Sequence, residues 1–124
     1  METFTFEKLE AWKKARFLGK DTYTLSSKFP TTERFGLSSQ LGRAIISVPS
    51  NLAEGCGRPS IKERIHFIEI AYGSLMESLT QLIVANDLGF INDIEFNDIR
   101  SRIEEVAKII SGLRKSLISR LPTT

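Results

Sequence analysis

Only one cysteine, one histidine and one tryptophan occur in these 124 residues: Cys56, His66 and Trp12. A lone cysteine excludes an internal disulfide framework and fits a reducing compartment. A lone histidine excludes a di-iron bundle site, because Glu63-Arg-Ile-His66 matches Glu-x-x-His once and that site needs it twice. A Ser-His-Asp or Cys-His catalytic set would have to use the same His66, and nothing beside it supports one. No window approaches the roughly 18 uninterrupted apolar residues of a membrane span. The opening METFTFEKLEAW has neither a signal h-region nor the character of a transit peptide. A large excess of one sign of charge is missing too: 17 Lys+Arg against 15 Asp+Glu leave a formal charge of +2. Global electrostatics therefore do not demand a polyanionic partner, although local patches can still attract one. These absences predict a soluble, cytoplasmic, single-domain chain (1–124) with no membrane association, catalytic residue, metal or cofactor.

The most informative absence is local. Between Phe35 and Gly57 the only charged side chains are Arg43 and Glu54, where a composition 26% charged would place about six. At 100° per residue Gln40, Arg43, Ser47, Asn51 and Glu54 fall in one narrow stripe of a helix. Leu37, Leu41, Ala44, Ile45, Val48 and Leu52 form an apolar face beside it. So few charges with one ordered polar line predict a helix buried on more than one side. Pro49 breaks a local rule there, since it has no N–H for the carbonyl of Ile45 and its ring crowds that carbonyl, at about 3 kcal/mol. It predicts either a kink that wraps the helix on its neighbours or a break that exposes carbonyls.

Three further helical segments surround this one. The first spans about Glu7 to Lys28, with Ala11, Ala15, Leu18, Leu25 and Phe29 on one side and Trp12 and Tyr23 beside them. Pro30 stops it, and Thr31-Thr32 offer a cap to the next segment. The third opens at Ser60 with Glu63 three residues on, a capping box. Its seam of Ile61, Ile65, Ile68, Tyr72, Leu75, Leu79 and Leu82 ends at Leu88-Gly89, where glycine suits the left-handed C′ position. The fourth runs from near Asn92, with Glu95 as box partner, to about Arg120, its seam being Ile99, Ile103, Val106, Ile110, Leu113 and Leu117. No stretch alternates with period two. The reading is all-α, an antiparallel up-down-up-down four-helix bundle.

The SSQLGRAIISVPSNLAEGCGR stretch followed by KERIHFIEIAYGSLMESLTQL resembles the bacterial four-helix proteins encoded in intervening sequences of 23S ribosomal RNA genes, often labelled as a ribosomal protein. The pattern of Gln40, Arg43, Ser47, Pro49, Asn51 and Ala53-Glu54-Gly55 carries it, reinforced by Gly73-Ser74-Leu75 and Glu77. The chain is also similar to the accessory protein of diversity-generating retroelements, a basic pentameric nucleic-acid binder. The resemblance implies a ring-shaped homo-oligomer, most simply a pentamer, with RNA or DNA as a partner. The alternative is a scaffold ring whose partner is another protein. Two departures stand out: Gly42 where relatives carry a basic residue, and Cys56 where they favour an aromatic one.

Candidate sites follow. The stripe of Gln40, Arg43, Ser47, Asn51 and Glu54 reads as structural pairing, within the protomer or across an oligomer interface. A ligand-binding role is the sharper alternative. Arg43 and Glu54 stand about 16 Å apart along a helix and cannot pair, so Glu54 is expected near Lys62 or Arg64 and Arg43 near Glu69 and Tyr72. Gly55, Gly57 and Ser60 mark the turn into helix three. There Arg58, Lys62 and Arg64 would gather positive charge beside a helix N-terminus able to hold a phosphate, unless the turn is purely structural. Helix one adds Lys13, Lys14, Arg16 and Lys20, and the C-terminal region Lys108, Arg114, Lys115 and Arg120, as nucleic-acid-binding candidates, the alternative being plain solvated helix faces. The acidic pairs Glu7/Glu10 and Glu95/Asp98 read as caps or surface groups, and Cys56 as a small apolar residue.

Overall fold

The computed structural model describes residues 3–122, which form four α-helices and no strand. They are α1 (Glu10–Ser26), α2 (Leu37–Cys56), α3 (Ile61–Asp87) and α4 (Asp93–Ser119), with short 3-10 turns at Thr5–Lys8 and Thr31–Glu33. Each helix packs on its neighbour in sequence, and α1 also meets α4, so the four enclose one core.

Local chemistry explains most of the boundaries. Ser60 caps α3 by accepting from Glu63 N at 3.1 Å, while its hydroxyl donates to the Glu63 carboxylate at 3.0 Å. The reciprocal half of the expected box, Glu63 to the Ser60 backbone, is replaced by this side-chain bond. Asn92 and Glu95 complete theirs, Glu95 N donating to Asn92 Oδ1 at 2.8 Å and Asn92 N to Glu95 Oε1 at 3.1 Å. At the end of α3 Gly89 takes φ +77°, with Phe90 N donating to Ala85 O and Gly89 N to Asn86 O, the Schellman arrangement.

Three boundaries differ from the sequence reading. Helix one begins at Glu10 because Phe4 N donates to the Glu7 carboxylate at 2.9 Å, closing a separate 3-10 turn, and Leu9 is extended. Thr31 and Thr32 cap nothing; they belong to their own 3-10 turn, and Gly36 precedes α2 without a side-chain cap. Pro49 makes no break, since α2 continues through it to Cys56. The Ile45 carbonyl that Pro49 leaves without its usual donor faces α1, where a Cβ on Gly19 would lie 4.0 Å from it.

The core follows the expected seams with one rotation. Leu41, Ala44, Ile45, Val48 and Leu52 of α2 are buried, as are Ile99, Ile103, Val106, Ile110 and Leu117 of α4. In α3 the buried line is Ile68, Ala71, Leu75, Ser78, Leu82 and Ala85, and Tyr72 is exposed. The small residues Ala71 and Ser78 take the inward positions of α3, and Tyr72, one residue round from Ala71, lies outside.

Ion pairs join α1 to α4 in descending order: Lys14 with Glu105, Asp21 with Arg102, and Lys28, just past α1, with Glu95. The Lys28 ammonium, followed by the Asn92 N–H, holds the Glu95 carboxyl below its ordinary value. A carboxylate with a depressed folded pKa contributes stability above its unfolded value and loses it as pH falls through the folded one. Acidification from neutral pH to about 3 is therefore expected to lower the melting temperature of the wild type more than that of Glu95→Gln. Parallel thermal scans would check this, and equal losses would contradict it.

Candidate functional site

The polar stripe of α2 is not a buried line within the protomer. Gln40, Arg43 and Glu54 are exposed, and only Ser47 and Asn51 are partly covered. The last two form a link to α3: Ser47 Oγ lies 2.9 Å from Ser74 Oγ, and Asn51 Nδ2 donates to Ser47 O and Ser47 Oγ, each at 2.8 Å. Arg43 does not reach Glu69 or Tyr72; its Nη1 donates to Ser39 Oγ at 2.8 Å, and Glu69 instead accepts from Arg114 Nε at 2.7 Å. Glu54 pairs with Arg58 one turn on, not with Lys62 or Arg64. The reason is solvation: charges at the rim of the α2–α3 contact stay in water and take the nearest partner, so no buried pair is required.

The turn between α2 and α3 brings helices close together. A Cβ on Gly55 would stand 3.1 Å from Phe67 Cβ and 3.3 Å from the Arg64 carbonyl. Gly57 follows in a right-handed conformation, and Ser60 caps α3. The three cations here do not converge. Arg58 is paired with Glu54 and sits 4.8 Å from the Phe67 ring centroid, and Arg64 Nε donates to Arg58 O at 2.8 Å. Lys62 is exposed and pairs with no carboxylate among the described residues. The Glu63 carboxylate already lies beside the first turn of α3, where an anion would sit.

Helix α1 sorts its charges by side. Lys14 pairs with Glu10 and Glu105, and the hydrogen bond and charge of Glu105 push its ammonium pKa upward. Asp21 is held by Arg102 at 2.7 Å. Lys13, Arg16 and Lys20, by contrast, are exposed and pair with no carboxylate among the described residues. Of the four cations expected on α1, Lys14 is thus committed to α4 and three remain available. The Arg16 guanidinium lies 5.6 Å from the Trp12 ring and 5.5 Å from that of Phe17.

Between α1 and α2 runs an open groove of about 330 Å³ bordered by Trp12, Arg16, Ile46, Pro49, Ser50 and Ala53. Ser50 and Ala53 also border a second depression of about 460 Å³ that extends to Phe6 and Arg58. The sequence reading placed Trp12 beside the apolar side of helix one and gave neither it nor Phe6 and Phe17 a part in a site; the signal was Trp12 four residues before an Arg16-Phe17 pair. Gly42 lies on the same side, and a Cβ there would meet the Tyr23 hydroxyl at 3.0 Å. Glycine therefore lets Tyr23 lie against α2.

Among the described residues only Arg114 of the C-terminal cations is paired with a carboxylate, that of Glu69; Lys108, Lys115 and Arg120 are exposed. His66 is exposed with its ring edge-on to Phe67, and Cys56 is partly buried at the end of α2. Among the described residues no group of three His, Cys, Asp or Glu is placed to hold a metal ion. No helix among the described residues is long and apolar enough to cross a membrane.

A solved structure from Bacteroides thetaiotaomicron, described as a protein of unknown function from the S23 ribosomal protein family, superposes with a TM-score of 0.79 at 19% identity. The match covers 85% of this chain and 95% of that one, and at this identity it speaks for the fold. No curated protein matches the chain. Neither the family nor that structure is described by a reaction. The 23S rRNA-intervening sequence protein family matches residues 7–112, nearly the whole helical region, and the chain belongs to that family.

Proposed function

We propose that the protein is a non-enzymatic, cytoplasmic, single-domain bundle with antiparallel up-down-up-down helices. It assembles into a homo-oligomeric ring, most simply a pentamer, and binds RNA or DNA through basic surfaces repeated around it. The observation that carries the nucleic-acid reading is the sorting of charge on α1, where Lys13, Arg16 and Lys20 are left without carboxylate partners while Asp21 is paired with Arg102 of α4 and Glu10 with Lys14. A net charge of +2 per chain is weak. Repetition around a ring makes a modest patch multivalent, which raises avidity without any new contact. Descending ion pairs between α1 and α4 support the antiparallel arrangement. Self-assembly is supported by a second seam on α3, where Ile70, Gly73, Glu77 and Val84 recur at helical spacing and are exposed.

Light scattering should return about five times 14.0 kDa, and a monomer would overturn the ring. Band shifts with RNA and DNA at low salt should show binding that weakens steeply with added salt. Lys13→Gln and Lys20→Gln should each lower the log–log salt slope by about 1, whereas Lys14→Gln should leave it nearly unchanged because that charge is already neutralised by α4. Failure to shift any nucleic acid at low salt would overturn the binding reading. It would leave the ring as a scaffold for another protein, a second reading favoured by the exposed apolar side chain of Ile46, outside the α3 seam.

A further inference from the structure

Aromatic and cationic side chains form a continuous ladder along the N-terminal turn and the outward side of α1. Phe4 and Phe6 stack with ring planes 8° apart and centroids 6.2 Å apart. Phe6 meets Trp12 edge-on at 5.0 Å. Arg16 then bridges Trp12 and Phe17, at 5.6 and 5.5 Å from their centroids. Both ends are open to solvent, Phe4 being 71% and Phe17 53% exposed. At 100° per residue Trp12, Arg16, Lys20, Lys13 and Phe17 follow one another round a single arc of α1 that contains no acidic residue.

Exposed rings alone would suit another protein or a second copy of this chain. The cations decide between the occupants. Three positive charges without carboxylate partners oppose apposition of the same face from two copies and favour a polyanion. Rings interleaved with those cations further select among polyanions. A duplex offers phosphates but keeps its base faces stacked inside, whereas a single strand offers flat base faces and phosphates at once. A guanidinium set between two rings adds a planar cation to the same platform.

We infer that this face takes single-stranded nucleic acid, with unpaired bases stacking on Phe17 and Phe4 and with Lys13 and Lys20 on the phosphates. The inference rests on the nucleic-acid reading above and narrows it to one form of the polymer. It assigns sequence-tolerant binding, since every base has a face to stack.

Trp12 is the sole tryptophan, so its emission reports on this ladder directly. The test uses the purified oligomer with labelled, unstructured strands of about 20 nucleotides, both RNA and DNA, and duplexes of equal length, at about 50 mM salt. Single strands are expected to bind at least about tenfold more tightly than duplex and to change Trp12 emission. Phe17→Ala, at an exposed position that leaves the core intact, should weaken single-strand binding at least about fivefold, the lower end of one stacked base. It should leave duplex binding and oligomer mass unchanged. Duplex binding equal to or tighter than single-strand binding would overturn the inference and leave the nucleic-acid reading standing. Single-strand binding unaffected by Phe17→Ala, or without a change in Trp12 emission, would do the same. No binding of either form would overturn both. A change of oligomer mass in Phe17→Ala would make the face an interface between copies and overturn the inference.

Discussion

Ile45→Ala is expected to remove about 2–5 kcal/mol of folding stability, read as a lower urea midpoint at unchanged slope. Ile45 is fully buried in the middle of α2 and belongs to the same core cluster as Leu18 and Leu75. Its carbonyl is the one Pro49 leaves without a helical donor, and it faces α1 near Gly19. Truncation removes apolar surface at a point where the helix has already given up a backbone bond. Neighbours cannot easily collapse into the space, because α2 is held on one side by α1 and on the other by α3. A loss below about 1 kcal/mol, the range of a surface change, would mean that the core is not packed as described.

Gly55→Val is expected to destabilise by about 1–3 kcal/mol or more, because the added carbons have no free space. Even the Cβ would sit 3.1 Å from Phe67 Cβ and 3.3 Å from the Arg64 carbonyl. Neither atom is the free end of a flexible side chain, so α2 and α3 would have to part at their turn. Gly112, in the exposed middle of α4, is the control. A Cβ there meets nothing within 4 Å, so Gly112→Ala should stabilise by about 0.5–1 kcal/mol through lower unfolded-state entropy and better helix propensity. Chemical denaturation of both variants separates the effects. If Gly55→Val were neutral, the close approach of the two helices at this turn would be refuted.

Helix existence and type were legible because they depend on local chemistry. Asn92 with Glu95, Ser60 with Glu63, and Gly89 after Leu88 act within a few residues of themselves; the first and last do their expected work, and Ser60 caps α3 although its box lacks the reciprocal backbone bond. The seam of α4 was legible for a similar reason: Ile99, Ile103, Val106 and Ile110 recur with the period of one helix face and are buried. The pattern at 35–58 also carried the family, which the match over residues 7–112 bears out.

Three-dimensional packing decided what periodicity left open. Tyr72 has the spacing of a core residue yet lies outside, while Ala71 and Ser78 are buried in the face that α3 turns to the core. The stripe on α2 is the same kind of case. Spacing aligned Gln40, Arg43, Ser47, Asn51 and Glu54, but which of them face a neighbour depends on the direction from which α3 comes. It comes alongside Ser47 and Asn51 and leaves Arg43 and Glu54 to partners within α2 and its turn.

What the sequence by itself determined is therefore the set of helices, the caps at Ser60, Asn92 and Gly89, and the apolar faces of α2 and α4, because those follow from bonds and periods within a few turns of chain. Only the tertiary structure decided which charges are free. Lys13 and Lys14 are adjacent and chemically identical, yet one is neutralised by Glu105 from the far end of the chain and the other is left to solvent. The difference between a structural cation and an available one is a distance across the fold, and sequence separation does not encode it.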